Sequence, residues 1–530
     1  MDRRAFLSRA FTPASSRFGN SYTPNHNRIL STDLTAYVPS AADPWDEFKV
    51  GHLLRRTMMM PLWADMTKLM GMTPSDAVDL LISTPSTPTR PTVADHGTES
   101  LDGLDVILQE ALKSTWASDT ASLAAWWATV LVTSPLSLVE KMVFFWSGSF
   151  TTQFNLDNIN WVQAPLLYRQ NELFRNNCLA SFQDMAFGIT LDGAMLVFLG
   201  GDQNNQSHPN ENYARELMEL FTMGLGQYTE GDVKEAARIL TGWHASRYND
   251  NHFNPNGLFN TFFTAGDHDT GAKQYLGVSF DSIPDAENTE DLVRKGEITK
   301  LINTIFTVRA DAVATFICRK IYRFFVYSNP GATDENVIAE MAAIFKQNNF
   351  QIKPVISALL KSQHFYDNLN IGAQIKTPAE FTVGLARQLG YAQNIYGNMA
   401  NMLQQLFQPP NVSGWTGWHD WITTNTFPVR AATSTSAINA MTDQQVLSFI
   451  AQFPNNNDAK TLIKNVGVLL LPRPLSQDRQ DDLVNRLVGG DGANKDYEWP
   501  TILSSSPSTA ARNMRDVLTE ISILPDFQLC

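Results

Sequence analysis

PNENYARELMELFTMGLGQYTEGDVKEAARILTGW, Pro209 to Trp243, is the stretch whose reading decides the fold. Asn210 is a preferred N-cap and Gly224 a left-handed stop, and Thr229 with Asp232 is a weaker relative of the capping box. Tyr213, Leu217, Leu220 and Phe221 recur at i, i+4, i+7 and i+8, which predicts an apolar helical stripe. Asn212, Arg215, Glu216 and Glu219 share the opposite side. Two capped helices joined at a tight glycine turn are therefore expected. Their charged faces need either solvent or each other.

Working outward, almost every periodic segment repeats at 3.6 residues, and alternating strands are rare. Thr73-Pro74 and Thr377-Pro378 both place an N-cap before a proline at N1, so helices are expected through Leu81 and from Pro378 to Leu389. Further helices are expected at 122–132, 138–150, 312–327, 334–345 (capped by Thr333), 354–361, 442–451, 477–487 and 507–521. Trp126, Trp127, Phe144, Phe145 and Trp146 form a stripe that belongs in a core. From about 243 to 297 the helical period fades, which predicts a long irregular insertion with short strands at 259–263 and 274–278. Loops of this length are disproportionately functional. The expected class is mainly α, a large multi-helix assembly divided into an N-terminal arm (1–45), a helical core (46–430) and a C-terminal helical segment (431–530) packed on that core.

Composition bounds the partners. A chain of 530 residues with 43% hydrophobic and 18% charged residues is globular and large enough for extensive cores. A net charge of −13 without Lys/Arg runs argues against nucleic acid and anionic membranes. No apolar run approaches the ~20 residues needed to span a bilayer. Cys178 and Cys318 fall in helical patterns as small hydrophobes, while Cys530 is expected at the surface. Arg3-Arg4-Ala5-Phe6-Leu7 looks like a twin-arginine export signal, but the polar run from Ser8 to Asn27 lacks the apolar region such signals require. The compartment stays open between bacterial cytoplasm and export to the envelope.

Several residues are candidates for chemistry. Glu216, Glu219 and Glu235 could divide acid and base work if their environments separate their pKa values. His268 and Asp269 are candidate ligands for a divalent metal, helped by the hairpin carboxylates. Arg215, Trp243, Lys273 and Trp415 are candidate substrate-binding residues. The competing reading is an ion-pair network, with Arg215 held between Glu211 and Glu219 and Arg238 beside Glu235. Trp415, Trp418 and Trp421 suit either sugar stacking or a packed turn. No G-x-S-x-G, P-loop or H-E-x-x-H motif occurs, which removes ordinary serine hydrolase, nucleotide-binding and zincin chemistry.

Six blocks carry a family resemblance: HLLRR (52–56), PLSLVEKMVFFW (135–146), YRQNELFRNN (168–177), the PNENYAREL block, HDTGAKQYLG (268–277) and PPNVSGW (409–415). With them the chain, roughly from His52 to Arg430, resembles the large bacterial family termed domain of unknown function eighteen-hundred. The resemblance implies a mostly helical, envelope-associated or exported protein, and a protein partner from a sulfatase-like neighbour family. Many relatives carry F-W-H-N-H-F where this chain has Phe145-Trp146-Ser147-Gly148-Ser149-Phe150. A hydroxyl is a poor substitute for imidazole as a metal ligand, so any ancestral metal chemistry is expected to be lost. Two readings of function follow: a binding or assembly component acting with a partner protein, or a hydrolase acting on polysaccharide or another envelope polymer.

Overall fold

The computed structural model describes residues 31–94, 116–155, 162–245, 260–391, 393–490 and 495–530. Helices dominate these residues, as expected, and no single one is long and apolar enough to cross a membrane. The strands described all lie in the insertion. β1 (Trp243–Ala245) pairs antiparallel with β2 (Thr261–Phe263), and β3 (Lys273–Tyr275) with β4 (Val278–Phe280). The strand expected at 274–278 is instead two strands, because Leu276 (φ 48°) and Gly277 (φ 81°) are both left-handed and turn the chain back. Most of arm 1–45 and the first residue of the strand expected at 259–263 lie outside the described residues.

Local chemistry sets the helix ends. The Asn210 side chain accepts the Asn212 N–H, and the Thr229–Asp232 capping box is complete. Between them the expected single helix divides. Glu211–Glu216 is α-helical, but Leu217–Thr222 widens into a π-helical turn, where the Thr222 hydroxyl donates to the Leu217 carbonyl at 2.5 Å. Gly224 (φ 83°) ends it, and a side chain there would meet the Phe316 ring at 3.0 Å. Thr377 caps Pro378–Leu389 at the predicted position, and Glu380, which the sequence reading did not single out, completes its capping box. The helix Ala332–Gln347 is capped from Gly331 through Asp334, one turn from its beginning, and not from Thr333.

The interior is aromatic. Trp146 stacks on Phe182 with ring centroids 5.5 Å apart, and Phe150 bridges Phe182 and Phe221 at 6.1 and 5.3 Å. Buried ion pairs run through the same region. Arg175 grips Glu140 in a fork (2.7 and 2.9 Å), and the Ser86 hydroxyl donates to Glu140 at 2.7 Å. Glu380 is 3% exposed. It accepts the Thr377 N–H at 2.8 Å, binds the Lys141 ammonium, and lies 3.8 Å from Arg56. Burial opposes ionisation of Glu380, yet the two cations hold its pKa down at about 2. One carboxylate thus joins the HLLRR helix (Glu47–Thr57), the helix Val139–Ser149 and the helix Pro378–Leu389.

The last hundred residues close on this frame. Arg55 donates to the Val468 and Leu469 carbonyls at 2.7 and 3.1 Å. Ile375 bridges Leu529, and the Cys530 N–H donates to the Gln374 carbonyl at 2.9 Å. Cys530 is therefore wholly buried and not at the surface, its sulfur accepting from Arg56 at 2.7 Å.

Removing one partner of a dry ion pair strands the other. Glu380→Gln is expected to cost about 3–5 kcal/mol, measured as the shift of the denaturant midpoint at constant m. A loss below about 1 kcal/mol would show that Glu380 is not the tie we describe.

Candidate functional site

The charged groups of the decisive hairpin are largely spent on one another. Arg215 forms a fork on Glu230 (2.7 Å to each oxygen) and reaches Glu211 at 3.3 Å; the pairing expected with Glu219 is replaced by that with Glu230. Glu219 instead accepts the Tyr228 hydroxyl at 2.6 Å, and burial with this contact pushes the phenol up to about 12. Glu235 binds Arg238 at 2.9 Å and also accepts the Gln274 N–H at 2.9 Å. Glu216 is different. Half-buried, it has no hydrogen-bond partner among the described residues, and burial together with neighbouring Glu219 raises its pKa above the ordinary value. Beside the turn, Gly226–Thr229 and Thr307–Ala312 border an open recess of about 380 Å³ that includes Tyr228 and Arg309.

The HDTGAK block is equally committed. Arg238 takes both oxygens of Asp269, from Nε at 2.7 Å and Nη2 at 3.1 Å. Burial works to raise the Asp269 pKa, but Arg238 and the Gly271 N–H hold it below the ordinary carboxylate range. His268 is buried, its Nδ1 2.9 Å from the Thr241 carbonyl and its Nε2 3.2 Å from Glu297. Lys273, also buried, binds the other oxygen of Glu297 at 2.8 Å. Glu297 is a member of this cluster that no spacing signal marked. Trp243 is fully enclosed beneath the Arg294 guanidinium, 4.8 Å from its ring. Among the described residues no three His, Cys, Asp or Glu side chains gather as a metal-ligand set.

A second polar site lies where two of the family blocks, 168–177 and 409–415, meet. Ser147, Thr152, Gln170 and Asn171 share a cavity of about 10 Å³ with Trp127, Phe174, Phe407, Pro409 and Trp415. That space sits at the lower limit for one water molecule. Gln170 donates to the Thr152 hydroxyl at 2.9 Å and to Asp192 at 2.7 Å, so both its hydrogens are used. Asn171 is 2% exposed, and neither its amide nitrogen nor its oxygen has a partner. Trp127, 1% exposed, leaves its indole N–H unspent as well. Three unsatisfied polar atoms around one small cavity are exceptional, since buried polar groups are almost always paired.

The PPNVSGW segment roofs this cavity because its backbone is stitched to residues 151–155. Gln153 donates to the Pro409 carbonyl at 2.6 Å, the Phe154 N–H to the Phe407 carbonyl at 3.0 Å, and Asn155 exchanges two bonds with Gln408 at 3.1 Å. Gly414 (φ 82°) passes so close to the Gly148 carbonyl that a side chain would meet it at 2.9 Å. Phe407 itself is held left-handed at φ 60°, a strained choice for a bulky residue. Of the predicted tryptophans, Trp421 is buried and the Trp418 ring lies tilted against His419, while half-buried Trp415 lines the cavity. Trp127 was expected only as a core residue, and Asn171 and Phe407 carried no sequence signal of a site.

A family model described as "Protein of unknown function (DUF1800)" matches residues 52–529, about a hundred residues further than the blocks ending near Arg430 suggested. No curated protein and no solved structure matches the chain.

Asp192 backs the cavity through Gln170. It also caps the helix Gly193–Phe198 by accepting the Met195 N–H at 2.9 Å. Burial outweighs these bonds and raises its pKa from 3.8 to about 7. The folded chain then holds a proton that the unfolded chain has released across pH 4–7, so stability falls as pH climbs through that window and levels off above it. Asp192→Asn keeps the accepting oxygen and is expected to abolish that decline in denaturant midpoints measured from pH 4 to 8. Parallel profiles for the two proteins would refute the assignment.

Proposed function

We propose, for a chain that belongs to the family of proteins of unknown function DUF1800, that it works as a binding component whose ligand seat is the cavity beneath Trp415. The observation that carries this reading is the Asn171 amide, buried with donor and acceptor both unspent beside the unspent Trp127 indole. A neutral ligand bearing hydroxyls satisfies such a seat. One hydroxyl enters to replace the missing hydrogen bonds, and the half-buried Trp415 ring flanks the remainder of the molecule. Carbohydrate is the ligand class that combines these features. Ser147 lines the same cavity where relatives carry histidine, which supports binding without a resident metal here. The protein partner expected from the resemblance belongs to this reading, with the bound glycan as what the complex recognises.

A hydrolase remains the second reading, because Glu216 keeps a raised pKa without a cation of its own, as a general acid requires. The carboxylates expected to work with it are bound elsewhere, Glu219 to Tyr228 and Glu235 to Arg238.

The readings separate on two variants. Asn171→Leu removes an unsatisfied buried amide, so it is expected to leave stability unchanged or raise it by about 1–3 kcal/mol while abolishing quenching of tryptophan fluorescence by neutral glucose or N-acetylglucosamine oligomers. Oligomer binding that survives Asn171→Leu, or none by the wild type, would sink the proposed seat. Glu216→Gln is expected to bind the same oligomers as the wild type and to be more stable at neutral and higher pH, where the carboxylate is forced to ionise while half-buried. Glycan cleavage by the wild type that Glu216→Gln loses would establish the hydrolase.

A further inference from the structure

A series of enclosed polar groups ties the segment before the first core helix to the interior. Tyr322 on the helix Ala310–Phe325, Asp334 in the first turn of the helix Ala332–Gln347, and His364 are each 2% exposed or less. The Tyr322 oxygen lies 2.8 Å from Asp334 Oδ1 and 2.7 Å from His364 Nε2. On the other side of the ring, His364 Nδ1 lies 2.5 Å from the Ser31 carbonyl. Asp334 spends its second oxygen on the Gly331 N–H at 2.7 Å. Three contacts in series thus join a buried carboxylate to the backbone of Ser31.

Those three contacts need three hydrogens. A carbonyl can only accept, so Nδ1 must donate to Ser31. The tyrosine hydroxyl supplies one hydrogen, a neutral imidazole one and a carboxylate none, which makes two. Without a third proton, two lone pairs would face each other at hydrogen-bond distance with no water to separate them. Imidazole is more basic than carboxylate, so His364 is the group that takes the proton. The order of donation is then fixed. Nδ1 donates to Ser31, Nε2 to the Tyr322 oxygen, and Tyr322 to Asp334. The other titratable groups beside the ring are acidic. Asp33, two residues from Ser31, is its electrostatic neighbour, and Asp367 on its own segment donates its N–H to the His364 carbonyl at 3.3 Å. The Asp367 carboxylate accepts the Leu369 N–H at 2.9 Å.

We propose that the proton shared by His364, Tyr322 and Asp334 latches residues 31–35 to the core, and that the segment lets go when rising pH removes it. Two hydrogens then remain for three contacts. Tyr322 and Asp334 stand on two helices packed along each other, whereas Ser31 belongs to neither helix nor strand, so the contact to Ser31 is the one that fails. Release stops at Tyr37. Its ring is buried against Tyr366 with centroids 4.9 Å apart, and its N–H donates to the Lys361 carbonyl at 2.8 Å, contacts that need no titrating proton. Between Ser31 and Tyr37 two bonds report whether the segment is docked. The Leu34 N–H donates to Glu340 at 2.9 Å, and the Gln363 N–H to the Thr35 carbonyl at 2.7 Å. Docking and proton binding favour each other, because the docked state has a place for the proton that the released state lacks. The inference is independent of the seat beneath Trp415.

The full chain is followed by amide hydrogen exchange from about pH 5 to about pH 9, with rates corrected for the intrinsic effect of pH. Protection at Leu34 and Gln363 is expected to fall by at least about tenfold across that range, while Tyr37 and the helix Pro378–Leu389 keep theirs. His364→Asn offers Ser31 an amide N–H that does not titrate, so its segment should stay docked throughout. Tyr322→Phe leaves a neutral imidazole with one hydrogen for one contact, and its profile should also be flat. If neither variant folds, magnetic resonance of the wild type carrying isotope-labelled histidine decides the matter. One ring should hold both its protons at the acid end and lose one over the interval in which Leu34 loses protection. The inference is overturned by a flat wild-type profile, by a fall that Tyr37 and the control helix share, by variants that fall as the wild type does, or by no ring titrating in step with Leu34.

Discussion

A single dry carboxylate fixes the arrangement of three helices. Glu380 can ionise in the interior only because Lys141 and Arg56 stand against it, and each of those cations is tolerable there only because Glu380 is present. The same side chain closes the capping box at Thr377, so its position along its own helix is fixed by a local contact as well as by the tertiary one. HLLRR and PLSLVEKMVFFW therefore have a physical reason for their charged positions. Arg56 and Lys141 answer Glu380, and Glu140 answers Arg175. Stability and specificity diverge at such pairs, because a wrong register would leave a charge stranded in hydrocarbon.

The hairpin at 209–243 resolves differently. Its carboxylates meet cations or hydroxyls drawn from several directions: Glu230 from the second helix, Arg238 bridging to Asp269, Tyr228 from the turn. Arg238 joins the helix Glu230–Ile239 to the insertion, and Glu297 joins His268 and Lys273 from the far end of the same insertion. The described residues of the irregular segment are thus held by charge pairing where they lack a helical or sheet ladder long enough to hold them. A π-helical turn at 217–222 shifts Glu219 out of the register that would have offered it to Arg215.

The ion pairs of the hairpin close on one another, Arg215 on Glu230 and Arg238 on Asp269, so their geometry is self-sufficient. The cavity under Trp415 is not, and the roof over it is strained. Phe407, Leu403 and Trp418 all adopt left-handed backbone within sixteen residues, at φ 60°, 69° and 53°. Each such residue costs about 1–3 kcal/mol and persists because surrounding bonds over-determine it. The exchange of bonds between 151–155 and 407–412 supplies that constraint. Strain beside unsatisfied polar groups is the signature expected where a fold is shaped for something other than its own stability.

Much of the fold was legible in the residues themselves. Thr377-Pro378 dictated where a helix begins, because capping is local hydrogen bonding. The mainly α class and the irregular insertion likewise followed from periodicity. Local pattern misplaced what depends on a partner far along the chain. It set Cys530 at the surface because sequence position carries no burial, gave Arg215 to Glu219 because a π turn leaves no periodic trace, and gave no hint that Glu297 answers His268. Trp415 and Ser147 were singled out in the sequence, but that Trp127, Asn171 and Phe407 gather around them was decided only by packing. The sequence alone determined where helices begin and end, since those bonds span three or four residues. Tertiary structure decided which charges neutralise one another and which polar atoms are left unspent, since both depend on distances that chain spacing does not encode.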